Sequence, residues 1–156
     1  MIKVLFVCHG NICRSPMAEF VFKDKLKKLG LSDKFYVASA ATSREEIGNP
    51  VHPGTRNKLA SCGISTEGKY AVQMTKNDYG RYDYIIGMDS WNIRNIKRIT
   101  GEDKDHKIYR LLDFTGCSGN IADPWYTGNF EDTYRDICVG CDAFLEHLKT
   151  NAKGGN

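Results

Sequence analysis

A cysteine and an arginine near the start of the chain have the residue types of a nucleophilic anion-binding site. Cys8 is followed by five residues and then by Arg14 and Ser15. A cysteine thiolate is a strong nucleophile, and a guanidinium can donate two parallel hydrogen bonds to a tetrahedral oxyanion such as a phosphoryl group. The Ser15 hydroxyl could donate to the Cys8 sulfur and stabilise it as a leaving group. The spacing alone is a weak signal, so the flanking residues decide its meaning.

The residues around this pair have the pattern of a strand, a tight loop and a helix. The apolar residues 4–7 are typical of a buried parallel strand. Ser15 is a favourable helix N-cap and Pro16 a favourable first helical residue, while Gly10 and Asn11 tolerate the positive φ angles that such a loop needs. Backbone N–H groups and the dipole at a helix N-terminus attract anions. The sequence therefore predicts an anion-binding loop that stabilises a thiolate.

A carboxylate late in the chain could supply the proton transfers that this loop lacks. Attack of a thiolate on a phosphoryl group needs an acid for the leaving oxygen and a base for the attacking water, and one carboxylate can serve both steps. Asp123 follows a Gly-, Ser- and Asn-rich stretch, so we expect it on a long loop after the last strand. Pro124 stiffens that loop, and Trp125 and Tyr126 could form an aromatic wall for a flat aryl substrate. By itself, an Asp-Pro pair is more often an ordinary turn.

Taken together, the two motifs resemble those of the low molecular weight protein tyrosine phosphatases. The resemblance extends over essentially the whole chain, and the motifs that carry it are Val7-Cys8-x-Gly10-Asn11-x-Cys13-Arg14-Ser15-Pro16 and Asp123-Pro124-Trp125-Tyr126. It implies hydrolysis of phosphotyrosine or aryl phosphomonoesters through a phosphocysteine intermediate. It also implies that Cys8 is the nucleophile, that Arg14 binds phosphate and that Asp123 is the general acid and then the base.

The same resemblance implies residues that bind phosphate or support the loop, namely His9, Gly10, Asn11, Ile12, Cys13, Ser15 and Ser39. Within this set, Asn11 and Ser15 hold the loop's shape and the thiolate, and Ser39 joins their hydrogen-bond network. The predicted pocket rim consists of Glu45, Trp125 and Tyr126. Better-known members of the family carry a supporting His after the second helix, whereas residues 66–70 contain none. That support must therefore differ here or be absent.

The cysteines favour reduced thiols over a disulfide framework or a metal site. The chain has six of them, and cysteines in the cytosol are normally reduced. Cys138 and Cys141 are one helical turn apart, and no second pair has zinc spacing, so we expect no metal and no cofactor. The resemblance suggests that Cys13 forms a reversible protective disulfide with Cys8. The alternative is that Cys13 is a small apolar residue packed beneath the loop.

The order of the predicted elements favours an α/β fold. Strands are predicted at about 2–8, 35–40, 82–88 and 107–112, and helices near 16–29, 53–62, 90–99 and 129–149. This alternation predicts a single-domain doubly wound sheet of four parallel strands flanked by helices, flavodoxin-like or phosphotyrosine phosphatase I-like. The site should lie at the carboxyl ends of the strands, where the strand order reverses around the first strand. Residues 1–150 form the predicted phosphatase domain, and 151–156 a flexible tail.

The composition of the chain limits which partners and which cellular compartment we expect. The formal charge of +3 over 156 residues is too small to indicate nucleic-acid binding. The sequence has no apolar segment that predicts a membrane span or a signal peptide. We therefore expect a cytoplasmic protein, monomeric or weakly dimeric, that acts on a phosphotyrosine-containing protein or a small aryl phosphate. His52, next to Pro53, is predicted to be a loop or helix-cap residue rather than a catalytic base.

Two other functions remain open. A thioredoxin-coupled arsenate reductase of the same fold would need resolving cysteines at roughly residues 75–90, a stretch that has none. A non-catalytic phosphate-binding module would have no need of Cys8, Arg14 and Asp123 together. Peptide preference is left open by the rim and by His9, which occupies a variable position beside the nucleophile.

Overall fold

The computed structural model describes residues 1–154, and the side chains of residues 1–151. The strands are β1 (Ile2–Cys8), β2 (Phe35–Ala41), β3 (Tyr84–Gly87) and β4 (Ile108–Arg110). The α-helices are α1 (Arg14–Lys28), α2 (Pro53–Ser61), α3 (Asp78–Arg81), α4 (Ser90–Thr100), α5 (Pro124–Thr127) and α6 (Phe130–Gly154). Short 3-10 helices cover Ser32–Lys34 and Leu111–Thr115. None of the helices in residues 1–154 combines the length and the apolar character needed to cross a membrane.

The four strands form one parallel sheet in the order β2-β1-β3-β4. Cys8, the last residue of β1, pairs in register with Ala41 at the end of β2, and Val7 pairs with Gly87 at the end of β3. The carboxyl ends of three strands therefore meet at one edge, and the strand order reverses around β1. The predicted doubly wound parallel sheet is confirmed.

Residues of β1 alternate between two apolar cores. Val4 and Phe6 pack with residues of α1 and α6 such as Phe22 and Phe144. Leu5 and Val7 are buried on the opposite face, where the core includes residues of β3 and α4. Because both faces are covered there, residues 4–7 of the strand are all apolar and buried, as expected for a central parallel strand. Its carboxyl end is thereby held rigidly beneath the loop that follows.

Most predicted elements lie within a few residues of the observed ones, but three details differ. The short helices α3 and α5 were not predicted, because four residues are too few to show a helical period. Helix α1 begins at Arg14 with Cys13 as its N-cap, so the prediction of Ser15 as the cap is wrong. Helix α6 continues to Gly154, five residues past its predicted end, and residues 155–156 of the predicted tail lie outside the described residues.

Close packing of α6 against the chain after β4 fixes where the following segment begins. Leu111 is fully buried there. A Cβ atom added at Gly140 of α6 would lie 2.5 Å from Leu111 Cγ, which is closer than packed carbon atoms can approach. Glycine at this position therefore lets the helix approach the chain that follows β4.

We expect Gly140→Ala to lower the free energy of unfolding by about 1–3 kcal/mol through overpacking, although alanine favours helix by about 1 kcal/mol. Gly80→Ala is the matched control, because a Cβ atom at that helical position meets open space. The control should be neutral or slightly stabilising. Urea unfolding followed by circular dichroism measures both variants, and equal stability gains in the two would contradict this packing.

Candidate active site

The carbonyl groups of the loop between β1 and α1 bond outward, away from the Cys8 sulfur. Their oxygens on Cys8, His9, Ile12 and Cys13 accept hydrogen bonds from the N–H groups of Thr42, Ser43 and His52 and the hydroxyl of Thr55, at 2.9–3.1 Å. Of the two positions predicted for His52, loop or helix cap, the structure has the second: it is the N-cap of α2, and its Nδ1 accepts from the Gly54 N–H. Since neighbouring segments hold the carbonyls, the N–H groups of the loop are free to face inward.

Several donors converge on the Cys8 sulfur, which is 3% exposed. The Asn11 N–H donates to Sγ at 3.3 Å and the Ser15 N–H at 3.4 Å, and the Ser15 hydroxyl lies 3.0 Å from Sγ. Asn11 has the predicted positive φ, at 59°, but Gly10 does not. Gly10 instead has a steric reason, because a Cβ there would lie 3.3 Å from Cγ of Glu46. These donors form a cradle suited to a thiolate or an oxyanion.

Arg14 is oriented by a carboxylate that sequence reasoning missed as a site residue. Its Nη1 donates to Asp89 Oδ2 at 2.6 Å and to the Ile121 carbonyl at 2.9 Å. Asp89 is itself held by a capping box with Asn92 at the start of α4. Burial lowers the pKa of Arg14, but the charge on Cys8 and the hydrogen bond to Asp89 outweigh it and leave the pKa raised. The guanidinium is therefore a fixed cation at the edge of the loop.

Asp123 ends the irregular segment 116–123, on the loop side of the chain as predicted, and is also the N-cap of α5. Its Oδ1 accepts from the Trp125 N–H at 3.0 Å, and its Oδ2 lies 3.5 Å from Arg14 Nη2. One oxygen thus fixes the carboxylate while the other faces the guanidinium and the pocket. Trp125 and Tyr126 are largely exposed beside it, and the Trp125 ring contacts His52 edge-on with centroids 5.6 Å apart.

A cavity of about 110 Å³ opens above Cys8. It is lined by Cys8, His9, Gly10, Ile12, Cys13, Glu45, Glu46, Asp123, Trp125 and Tyr126. Among the lining residues only Glu46 was not predicted for the site. At the rim, His9 Nε2 and Glu45 Oε2 lie 3.0 Å apart. A larger cavity of about 550 Å³ between α2 and residues 63–70 contains none of the predicted site residues.

The other predicted site residues, Arg14, Asn11, Ser15 and Ser39, do not line this cavity. Asn11 Nδ2 donates to the hydroxyl oxygens of Ser15 at 2.8 Å and Ser39 at 2.9 Å. Lys69, from the segment without a histidine, donates to the Ser39 carbonyl at 2.9 Å. Support from this segment is therefore present and comes from a lysine. Among the residues that sequence reasoning missed, Asp89 had a sequence signal: it is an acidic residue between a predicted strand and a predicted helix.

Burial distinguishes the cysteines from one another. All six are free thiols, and only Cys62 and Cys117 are exposed. Burial, followed by the charges of Cys8 and Asp123, raises the pKa of Cys13 to about 12. Cys141 is fully buried in the core and Cys138 only partly. Among residues 1–151, the His, Cys, Asp and Glu side chains form no cluster suited to a metal ion.

Comparison with known proteins identifies one family for this chain. Residues 3–154 match the family model described as low molecular weight phosphotyrosine protein phosphatase. The low molecular weight protein-tyrosine-phosphatase YfkJ of Bacillus subtilis is 44% identical over 151 residues, covering 96% of this chain and 97% of its own. Its crystal structure superposes with a TM-score of 0.93, covering 97% of this chain and 96% of that one. SP-PTP, the low molecular weight protein tyrosine phosphatase from Streptococcus pyogenes, is 45% identical with a TM-score of 0.86, covering 95% and 93%.

We expect iodoacetamide at neutral pH to alkylate Cys8 at least about a hundredfold faster than Cys13, because the raised pKa of Cys13 keeps it a thiol. Inorganic phosphate should protect Cys8. The exposed Cys62 and Cys117 are internal references that phosphate should leave unprotected. Peptide mass spectrometry over a time course measures all four rates. Modification of Cys13 ahead of Cys8 would show that the loop does not activate the sulfur at its base.

Proposed function

Because this chain belongs to the low molecular weight phosphotyrosine protein phosphatases, we propose that it hydrolyses phosphotyrosine through a phosphocysteine intermediate on Cys8. The observation that carries the mechanism is the convergence of three groups on one opening. Cys8 Sγ lies at its base within 3.4 Å of two backbone N–H groups, and Arg14 and Asp123 lie 3.5 Å apart at its side.

In the first step, the Cys8 thiolate attacks phosphorus. The S–P bond forms as the bond from phosphorus to the phenolic oxygen breaks, and protonated Asp123 gives its proton to that leaving oxygen. The loop N–H groups and the Arg14 guanidinium receive the negative charge of the equatorial oxygens. Asp89 keeps the guanidinium in place through its 2.6 Å hydrogen bond, so these donors are already oriented when the substrate arrives.

In the second step, water attacks the phosphocysteine. Asp123, now a carboxylate, takes a proton from that water as the new O–P bond forms and the S–P bond breaks. The electron pair returns to Cys8 as a thiolate, and the Ser15 hydroxyl, 3.0 Å from Sγ, stabilises it as it leaves. Inorganic phosphate then departs, and Asp123 is again protonated for the next cycle.

The rim supports an aryl ester as the substrate class, either a phosphotyrosine-containing protein or a small aryl phosphate. Trp125 is 57% and Tyr126 84% exposed beside the opening, and both line it. Flat aromatic side chains stack favourably on a phenyl ring. The pair His9 and Glu45 lies at the same rim, where it would meet the residues that flank a phosphotyrosine.

The residues of this chain do not favour either of the two alternative functions. The arsenate reductase would need a pair of resolving cysteines at residues 75–90, and that segment has none. A module that only binds phosphate would not need a carboxylate with one oxygen held by a helix cap and the other facing the pocket. Both alternatives are tested by the experiments that follow.

With p-nitrophenyl phosphate, we expect a burst of nitrophenol and a phosphorylated Cys8 detectable by intact mass after acid quench. Cys8→Ser should lower turnover at least about a thousandfold, because the hydroxyl is a poorer nucleophile, while vanadate binding persists. Cys62→Ser is the control, since this exposed thiol should be dispensable. Reduction of arsenate without release of phosphate would overturn the proposal, as would substantial turnover by Cys8→Ser.

Asp123→Asn should lower kcat/KM for aryl phosphates by about a hundredfold or more, within the range for loss of a general acid. The loss should be larger for phenyl phosphate than for p-nitrophenyl phosphate, because the more basic leaving group depends more on protonation. Vanadate affinity should change little. Asp33→Asn is the control, as this carboxylate is exposed in the Ser32–Lys34 helix. Equal losses for the two substrates, or parallel loss of vanadate binding, would mean that Asp123 only shapes the pocket.

A further inference from the structure

Lys69 is a largely buried cation that the proposed chemistry does not use. Its side chain is 13% exposed, and Nζ lies 2.9 Å from the Ser39 carbonyl and 3.6 Å from Glu19 Oε1. Burial lowers the pKa of Lys69, and the Glu19 carboxylate opposes that shift. The residue is held behind the loop by residues 70–74, which bond to the end of β2 through Ala41. A buried charge in this place needs a reason, because its desolvation is costly.

The hydrogen bonds behind the loop can run in only one direction, because one of the donors is a backbone N–H. The Val72 N–H, which can only donate, lies 3.1 Å from Asn11 Oδ1. Both hydrogens of Asn11 Nδ2 are therefore given to the hydroxyl oxygens of Ser15 and Ser39. Because the Ser15 oxygen already accepts from Asn11, its own proton is available for Cys8 Sγ at 3.0 Å, nearer than the Ala40 carbonyl at 3.5 Å.

Glu19 accepts the last hydrogen bond of this series, at the end opposite to Cys8. Its Oε1 accepts the Ser39 hydroxyl at 2.6 Å, which leaves the Ser39 oxygen free to accept from Asn11. Glu19 is 4% exposed, and a buried carboxylate stays ionised only when it is paired. Lys23 reaches Glu19 from the solvent side at 2.5 Å with a side chain that is 45% exposed. Lys69 is the less exposed of the two lysines, and only it also donates to the Ser39 carbonyl.

On the premise of the phosphocysteine chemistry above, we propose that Lys69 is a positioning residue for the nucleophile. It pairs with Glu19 and anchors the Ser39 carbonyl, so that Ser39, Asn11 and Ser15 form a chain ending in a hydrogen bond donated to the Cys8 thiolate. Its charge also offsets that of Glu19, which would otherwise oppose a second anion behind the same loop. Lys69 touches neither the substrate nor the sulfur, and acts through these side chains.

The test compares Lys69→Met with Lys23→Met, since both remove a cation from Glu19 but only one lies behind the loop. The pH profile of Cys8 alkylation reports the thiolate without any turnover. We expect its midpoint to rise by about one pH unit in Lys69→Met, in line with loss of a nearby buried charge. With p-nitrophenyl phosphate, kcat should fall about tenfold while KM stays within about threefold. Lys23→Met should stay within about twofold of the unmodified protein, because exposed ion pairs contribute little.

A second pair of variants separates charge from folding. Glu19→Gln added to Lys69→Met removes the carboxylate that has lost its partner behind the loop and leaves an amide oxygen for Ser39, so the midpoint should return toward its original value. Lys69→Arg keeps the charge and the donors and should retain most of the activity. Other titratable groups facing Cys8 stay constant in all variants, namely His9, Cys13, Arg14, Glu45, Glu46 and Asp123. Urea unfolding checks that each variant is folded.

The outcomes separate this role from the proposed function itself. An unshifted midpoint in Lys69→Met overturns the positioning role, even if kcat falls, because loss of structure alone lowers the rate at every pH. Equal shifts in Lys69→Met and Lys23→Met also overturn it, as does a double variant no better than the single one. Full turnover by Cys8→Ser would instead overturn the phosphocysteine mechanism, whatever the Lys69 variants show.

Discussion

Outward pairing of the loop carbonyls after β1 is the constraint on which the site depends. A buried carbonyl must find a donor, and those of Cys8 and His9 find theirs in the residues that follow β2, while those of Ile12 and Cys13 find theirs at the start of α2. If these segments were displaced, the loop would have to turn its carbonyls toward the sulfur. The position of β2 and α2 therefore decides that the Cys8 sulfur is surrounded by N–H groups.

The guanidinium is fixed by the end of a neighbouring strand. Gly87 ends β3, and a side chain there would crowd Asn92, whose Cβ lies 3.0 Å from the place of the missing Cβ. Asn92 in turn makes the capping box with Asp89, which leaves Asp89 Oδ2 for Arg14. The N-cap of the helix that follows β3 thus orients a cation on the helix that follows β1. Such preorganisation means that little rearrangement is needed when a phosphoryl group binds.

Sequence reasoning succeeded where a feature is local and failed where it depends on what folds against it. Local sequence patterns identified the apolar run of β1, the cysteine after it and the Asp-Pro pair. Strand burial and loop chemistry each require particular residue types at adjacent positions. Ser15 was misplaced as a helix cap since its hydroxyl is engaged by Cys8 and Asn11. Glu19 and Lys69 are 50 positions apart in the sequence, and no local pattern reveals that they meet. Long-range charge pairs of this kind require the fold.

The ion pairs behind the loop differ from those of Arg14 beside the opening of the pocket. Behind the loop, Glu19 lies 2.6 Å from the Ser39 hydroxyl and within 3.6 Å of Lys69, out of reach of a substrate. In front of it, Arg14 makes a short contact with Asp89 at 2.6 Å and a long one with Asp123 at 3.5 Å. Because the longer contact is the one beside the opening, a dianion needs to displace only the weaker partner of Arg14. The short contact continues to orient the guanidinium, and the displaced carboxylate is the group that transfers the proton in the mechanism proposed above.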